Sequence, residues 1–252
     1  MQFDVAADAY DRYMGAWSRQ LSPGLVAFAG IRSGQRVLDV GCGPGALTAQ
    51  LLEAVGDGSV SAVDPSESFV AAARARYPGV DVRQAAAEAL PFPDRSFDAA
   101  LAQLVVHFMT DPVAGIHEMA RVTRRGGVVA ACVWDFGGDR GPLGPFWEAA
   151  RGTDPSVVDE SHLAGTREGH LAELFESAGL ADVQQGDLSA SRTYADFADW
   201  WTPFTQGVGP GGAYVAGLDG ARQRALRERC RSMLPDGPIF LTAHAWVARG
   251  TA

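Results

Sequence analysis

Apolar and polar positions along this chain repeat with two periods, and the switches between them predict its elements. Residues 36–40 read as a buried strand, followed by a helix over 46–55 in which Leu47, Leu51 and Val55 recur at helical spacing and Gly56 closes the last turn. A second strand at 59–63 ends in Asp64, Ser66 opens a helix to about residue 76, and Pro78-Gly79 stops it. Strands at 80–84 and 96–102 follow, then a helix starting at Asp111-Pro112 that Gly126-Gly127 breaks, then an apolar fifth strand at 128–134. Strands and helices alternating at this rhythm predict a parallel sheet wound on both faces.

The rhythm falters beyond Asp135. Residues 136–166 are rich in Gly and Pro and predict a loop with a short helix near 146–151. A helix at 167–178 and a strand near 182–185 resume the pattern, and the last strand is expected at 239–247. Between them, 193–235 forms an insertion: an aromatic segment with Trp200, Trp201, Pro203 and Phe204, a glycine-rich link, and an Arg-rich helix at 221–233. At the other end, within residues 1–33, Tyr10, Tyr13, Met14 and Trp17 share one helical face. That face suits either packing on the core or a lid in which Tyr13 and Trp17 cover a ligand. With no internal repeat, residues 1–252 are expected to form one domain.

The chemistry concentrates at residues 37–45, Val-Leu-Asp-Val-Gly-Cys-Gly-Pro-Gly. Glycine lacks a Cβ, so a turn through Gly41, Gly43 and Gly45 can take positive φ and approach a ligand closely. The helix after it turns unpaired N–H groups toward the loop. Asp39 adds a carboxylate at the strand end. Asp64 stands nineteen residues beyond Gly45, near the interval at which an acidic residue in a dinucleotide-type fold meets ribose hydroxyls. A carboxylate suits that place because it accepts two hydrogen bonds from a vicinal diol. The loop therefore predicts a site for a nucleoside-like ligand.

Composition narrows the class. An apolar fraction of 47% and a charged fraction of 20% are ordinary for a globular domain. A net charge of −9 disfavours nucleic acid and anionic membrane as partners. Three widely spaced cysteines, Cys42, Cys132 and Cys230, match neither a disulfide framework nor a metal site, so a reducing, cytoplasmic setting without a metal is expected. No secretory leader or membrane-spanning run is expected either.

The segment at 37–45 resembles the first motif of class I S-adenosylmethionine-dependent methyltransferases, Gly-x-Gly-x-Gly rather than the Gly-x-Gly-x-x-Gly of nicotinamide enzymes. Asp64 in Ala-Val-Asp-Pro-Ser matches the family's ribose-binding acid. Residues 87–98 are similar to the segment around the adenine pocket, and Arg121-Val122 with Gly126-Gly127 resembles the turn before the fifth strand. The resemblance is nearest to small-molecule enzymes that include those of quinone biosynthesis. Two positions depart from the pattern: Ala86 stands where an Asp often meets the adenine amino group, and Arg125 replaces a turn proline.

The resemblance implies an α/β fold with a seven-stranded doubly wound sheet, order 3-2-1-4-5-7-6, strand 7 antiparallel, and the 193–235 insertion as a helical cap. It implies S-adenosyl-L-methionine as cofactor and S-adenosyl-L-homocysteine as product. Gly41, Cys42, Gly43 and Gly45 would cradle the methionine end, and carbonyls near Gly41 and Ala102 would receive its ammonium, with Asp39 acting through water. Pro65, Ala87 and Glu88 would border the adenine.

Methyl transfer from a sulfonium is an in-line displacement that gains from a dry, moderately apolar site and from holding the nucleophile at contact distance. A base is needed only if the acceptor loses its proton early. Of the five histidines, His107 lies just after strand four, where the crevice at the carboxyl ends of the strands is expected. It suits substrate contact or proton transfer, or simple packing at a helix start. His117 reads as a surface residue, His244 as structural, and His162 and His170 as flanking the variable loop. Trp134 and Phe136, at the end of strand five, and Trp200 and Trp201 in the insertion are substrate-pocket candidates, with core filling as the alternative. The expected activity is methyl transfer to a small organic acceptor by a monomer or homodimer. The alternatives are an inactive cofactor-binding sensor or partner protein, a nucleic-acid methyltransferase and a nicotinamide oxidoreductase.

Overall fold

A computed structural model describes residues 14–56, 59–207 and 209–252. Helix α1 (Ala16–Ala29) leads into β1 (Val37–Val40), α2 (Ala46–Val55), β2 (Val60–Asp64), α3 (Glu67–Arg76), β3 (Asp81–Gln84) and β4 (Phe97–Gln103). Helix α4 (Pro112–Val122), β5 (Thr123–Trp134), α5 (Gly144–Thr153), α6 (His170–Ser177) and β6 (Ala181–Tyr194) follow. Helices α7 (Phe197–Thr205), α8 (Gly209–Gly217) and α9 (Gly220–Met233) precede β7 (Ile239–Thr251). The strands form one seven-stranded sheet, order β3-β2-β1-β4-β5-β7-β6. β1 to β5 run parallel, and β7 is antiparallel to both β5 and β6.

The order follows from burial on two faces. Along β5, Ala130, Cys132 and Trp134 enter one core while Val129, Ala131 and Val133 enter the other. A strand covered on both sides must be apolar at successive positions, which is why it reads as a continuous run. The first core takes Trp17, Leu21 and Leu25 of α1 with Leu47 and Leu51 of α2; the second takes Ile116 and Met119 of α4 with Leu171 and Phe175 of α6. Helix starts are set locally. Ser66 Oγ accepts from Phe69 N to cap α3, and Asp111 Oδ1 accepts from Ala114 N to cap α4 with Pro112 in the first turn.

Three strands run longer than the sequence pattern predicts. Helix α4 already ends at Val122, so Gly126 and Gly127 lie inside β5 instead of breaking the helix. β6 is 14 residues rather than four, and β7 continues to Thr251, because the two zip together from Ala181↔Thr251 to Tyr194↔Ile239. The predicted helix over 167–178 starts later, at His170, after the positive-φ turn at Gly169. Among the described residues, no helix is long and apolar enough to cross a membrane.

Candidate functional site

The turn after β1 is tied to β2 on one side and to α2 on the other. Gly41 N and Cys42 N both donate to Val63 O, at 2.8 and 2.9 Å, and Gly45 N donates to Cys42 O at 2.9 Å. Gly41, Gly43 and Gly45 all take positive φ, at 71°, 52° and 97°. Two of them also need the missing side chain. A Cβ on Gly41 would lie 2.4 Å from Val105 Cγ2, and one on Gly45 2.3 Å from Tyr77 Cε2. Asp64 braces the loop: its Oδ2 accepts from Gly43 N at 2.8 Å and its Oδ1 from Ser66 N at 2.9 Å. Burial raises the Asp64 carboxyl, and those two N–H groups oppose the shift.

The loop opens on a crevice lined by Gly41, Cys42 and Gly43, by Asp39 and Gln103 from the ends of β1 and β4, and by Gly15 and Ser18. Two of its side chains hold acceptors that, among the described residues, have nothing to accept from. Asp39 is 1% exposed; its Oδ2 accepts from Thr48 Oγ1 at 2.6 Å, while its Oδ1 is buried without a partner. Gln103 Nε2 donates to Ser18 O at 3.1 Å and leaves its Oε1 equally unpaired. Burial pushes the Asp39 carboxyl up to about 7; the Thr48 hydroxyl opposes this and the neighbouring Asp64 charge adds to it. Buried acceptors without donors are costly, and a cationic, donor-rich group such as an ammonium would satisfy both. The donor set therefore fits the methionine end of S-adenosylmethionine.

The other expected cofactor contacts are distributed differently. Tyr13 lies outside the described residues. Trp17 is 1% exposed and meets Trp134 edge-on with ring centres 6.1 Å apart, inside the first core, while its neighbours Gly15 and Ser18 face the crevice. Ala102 turns its methyl into the second core, and the next two residues, Gln103 and Leu104, reach the crevice. Pro65 is exposed, with its carbonyl accepting from Gln84 Nε2. Ala87 is buried in the second core. The Glu88 carboxylate is engaged elsewhere: Oε1 accepts from Thr110 N and Asp111 N at 2.7 and 3.2 Å, holding the entry to α4. Cys42 is 5% exposed and its thiol is pushed far up by burial, which leaves it inert.

Leu104 is also a wall of a second cavity, so the two spaces share a side chain. Leu104 itself holds φ 62°, rare for a branched residue and maintained by its N–H bond to Cys132 O at 2.8 Å. His107, Trp134 and Phe136 line this cavity. His107 sits in a single 3-10 turn (Val106–Phe108), 5% exposed, with its Nδ1 unpaired among the described residues and the Phe136 ring edge-on at 5.8 Å. Burial pushes its imidazole down to about 3, so it is neutral near pH 7. Among the described residues, the indole Nε1 of Trp134 has no hydrogen-bond partner either. Asp135, between the two aromatics, points away and pairs with Arg140 at 2.5 Å.

Trp200 and Trp201 do not line the cavity. They fill the aromatic cluster of α5 and α7 with Phe146 and Phe204, at 1% and 7% exposure. The insertion reaches the cavity instead through Gly209 and Pro210 at the start of α8. Of the remaining histidines, His117 and His162 are exposed, His170 Nδ1 accepts from Gly165 N at 3.2 Å, and His244 lies 3.5 Å from Asp187. Gln103, Leu104 and Glu160 line these two spaces and Thr48 bonds Asp39, and the sequence pattern passes over all four. Gln103 alone carried a signal, a polar residue ending an apolar strand.

Comparisons with known proteins agree with this geometry. A family profile described as a methyltransferase domain matches residues 38–131. An uncharacterised protein of Mycobacterium tuberculosis is 31% identical over 230 residues, covering 86% of this chain and 82% of its own length. A ubiquinone/menaquinone biosynthesis C-methyltransferase of Stenotrophomonas maltophilia is 40% identical over 119 residues, 44% of this chain and 46% of that protein. Among solved structures, a Bacillus subtilis protein superposes with a TM-score of 0.60 at 22% identity, over 91% of this chain and 97% of that one. The glycine turn, the acid ending β2, the strand order and these relatives agree: the chain belongs to the class I S-adenosylmethionine-dependent methyltransferases.

Proposed function

We propose that this enzyme methylates a small, largely apolar organic acceptor held in the cavity beyond Leu104. The observation that carries this is the pair of spaces sharing that residue: a polar crevice with unpaired buried acceptors, and an apolar cavity lined by His107, Trp134 and Phe136. When bound, S-adenosylmethionine supplies a methyl group on a positively charged sulfur. The chain's part is to hold and to exclude. Asp39 and Gln103 take the ammonium, the glycine turn lets the backbone approach, and Asp64 takes the ribose hydroxyls with lone pairs beyond those used by Gly43 and Ser66. Aromatic walls keep water from the acceptor. A neutral His107 orients the acceptor by a hydrogen bond; an imidazole held near pKa 3 is a poor proton acceptor. Met14, Gly209 and Pro210 line the cavity, which supports a lid at the described start of the chain, around Met14, and residues 193–235 as the cap; the part of the expected 1–33 lid before Met14 lies outside the described residues.

The test is calorimetric titration with S-adenosylhomocysteine and with NADH; binding of the first and not the second is expected. Asp64→Ala should weaken S-adenosylhomocysteine by at least about tenfold, since two hydrogen bonds to a charged acceptor are lost. Unchanged affinity would remove the ribose assignment.

A further inference from the structure

The acceptor cavity contains one ionisable group that the transfer reading leaves unused. Glu160 comes from a single 3-10 turn (Glu160–His162) in the irregular segment between α5 and α6, and it is 5% exposed. Its placement is firm. Asp159 caps the turn by accepting from Ser161 N at 3.0 Å, and Arg151 pairs with Asp159 and with Asp139. Trp147 Nε1 donates to Glu160 Oε2 at 3.0 Å. Among the described residues no hydrogen bond is made to Glu160 Oε1, and no Lys or Arg lines the cavity. A carboxylate buried in a cavity lined by Phe136, Leu143 and Pro210, with no cationic side chain on the described lining, is a standing cost to the fold. Burial raises its carboxyl to about 7, against the Trp147 hydrogen bond.

We propose that Glu160 selects the acceptor: its free oxygen receives a hydrogen bond from a hydroxyl or amino group on an otherwise apolar molecule, and carboxylate or phosphate acceptors are excluded. This rests on the cavity being the acceptor site. A donor-bearing ligand satisfies the free oxygen. An anion would bring like charge beside a buried carboxylate, with a neutral His107 and no cation on the lining to offset it. The unpaired indole N–H of Trp134 on the same wall can in turn donate to the acceptor's oxygen or nitrogen.

The experiment uses the full chain saturated with S-adenosylhomocysteine at pH 8, with binding followed by tryptophan fluorescence. Three probes of one shape are titrated: 4-propylphenol, propylbenzene and 4-propylbenzoate. The phenol should bind at least about tenfold more tightly than either of the others. In Glu160→Gln, the benzoate should gain at least about fivefold relative to the phenol, because the like charge is gone. Glu160→Leu should erase the preference for the phenol over propylbenzene. Benzoate binding as tightly as phenol to the wild type overturns the proposal without recourse to any variant. So does a probe order that neither substitution changes, or a loaded enzyme that binds none of the three at millimolar concentration. Failure of S-adenosylhomocysteine itself to bind is a different result and would overturn the methyl-transfer reading instead.

Discussion

Gly41 and Gly43 are two residues apart in one turn and share a positive φ, yet they do different things. Among the described residues nothing lies within 4 Å of a Cβ on Gly43, whereas on Gly41 it would meet Val105 at 2.4 Å. Gly43→Ala should therefore cost only the left-handed backbone penalty, about 1 kcal/mol. Gly41→Ala adds a collision with the segment that carries Leu104 and His107, and should cost about 3 kcal/mol in urea unfolding. Equal costs would show that the Val105 contact is loose. The need for glycine was legible from spacing alone. Val105 as the reason was not, because it arrives from sixty residues away by way of β4.

The starts of α3 and α4 were legible because a cap is a local bond. Asp111 Oδ1 to Ala114 N, with Pro112 following, is complete within four residues. Asp111→Ala should cost about 1 kcal/mol in denaturant midpoint and leave S-adenosylhomocysteine affinity unchanged; a loss of affinity would mean that α4 helps shape the site. Strand ends were less legible. β6 is largely exposed along its length, so its own pattern shows little alternation, and its extent is set by the partner strand β7. The glycine pair at 126–127 illustrates the same dependence. Gly126 N donates to Ala252 O and Ala252 N to Gly127 O, which keeps the pair in the sheet, where sequence alone reads a break.

Among the described residues, three of the buried carboxylates, Asp39, Asp64 and Glu160, are raised above their ordinary values by burial. The folded state thus holds protons that the unfolded chain has released, so their contribution to stability falls as pH rises from about 4 through about 7. His107 works in the opposite sense: its lowered value makes the fold lose stability as pH drops below 6.5 toward about 3. Asp39→Asn isolates one carboxylate. Its unfolding free energy relative to wild type should grow by on the order of 2 kcal/mol between pH 5 and pH 8. A pH-independent difference would mean that Asp39 titrates normally. The cost is sensible at a ligand site, because a bound ammonium offsets the charge that the empty fold must carry.

Residues 37–45, the caps at Ser66 and Asp111 and the alternation of strand with helix determine the sheet and its glycine turn. Each depends on backbone preference or on bonds that close within a few residues. Cavity membership has another origin. Met14, Glu160 and Pro210 become neighbours only when the residues just before α1, the segment after α5 and the start of α8 converge over the ends of β4 and β5. Trp134 and Trp200 look alike in sequence, one lining the cavity and the other filling the cap. Burial treats both as apolar bulk, and packing between distant segments separates a wall from a core.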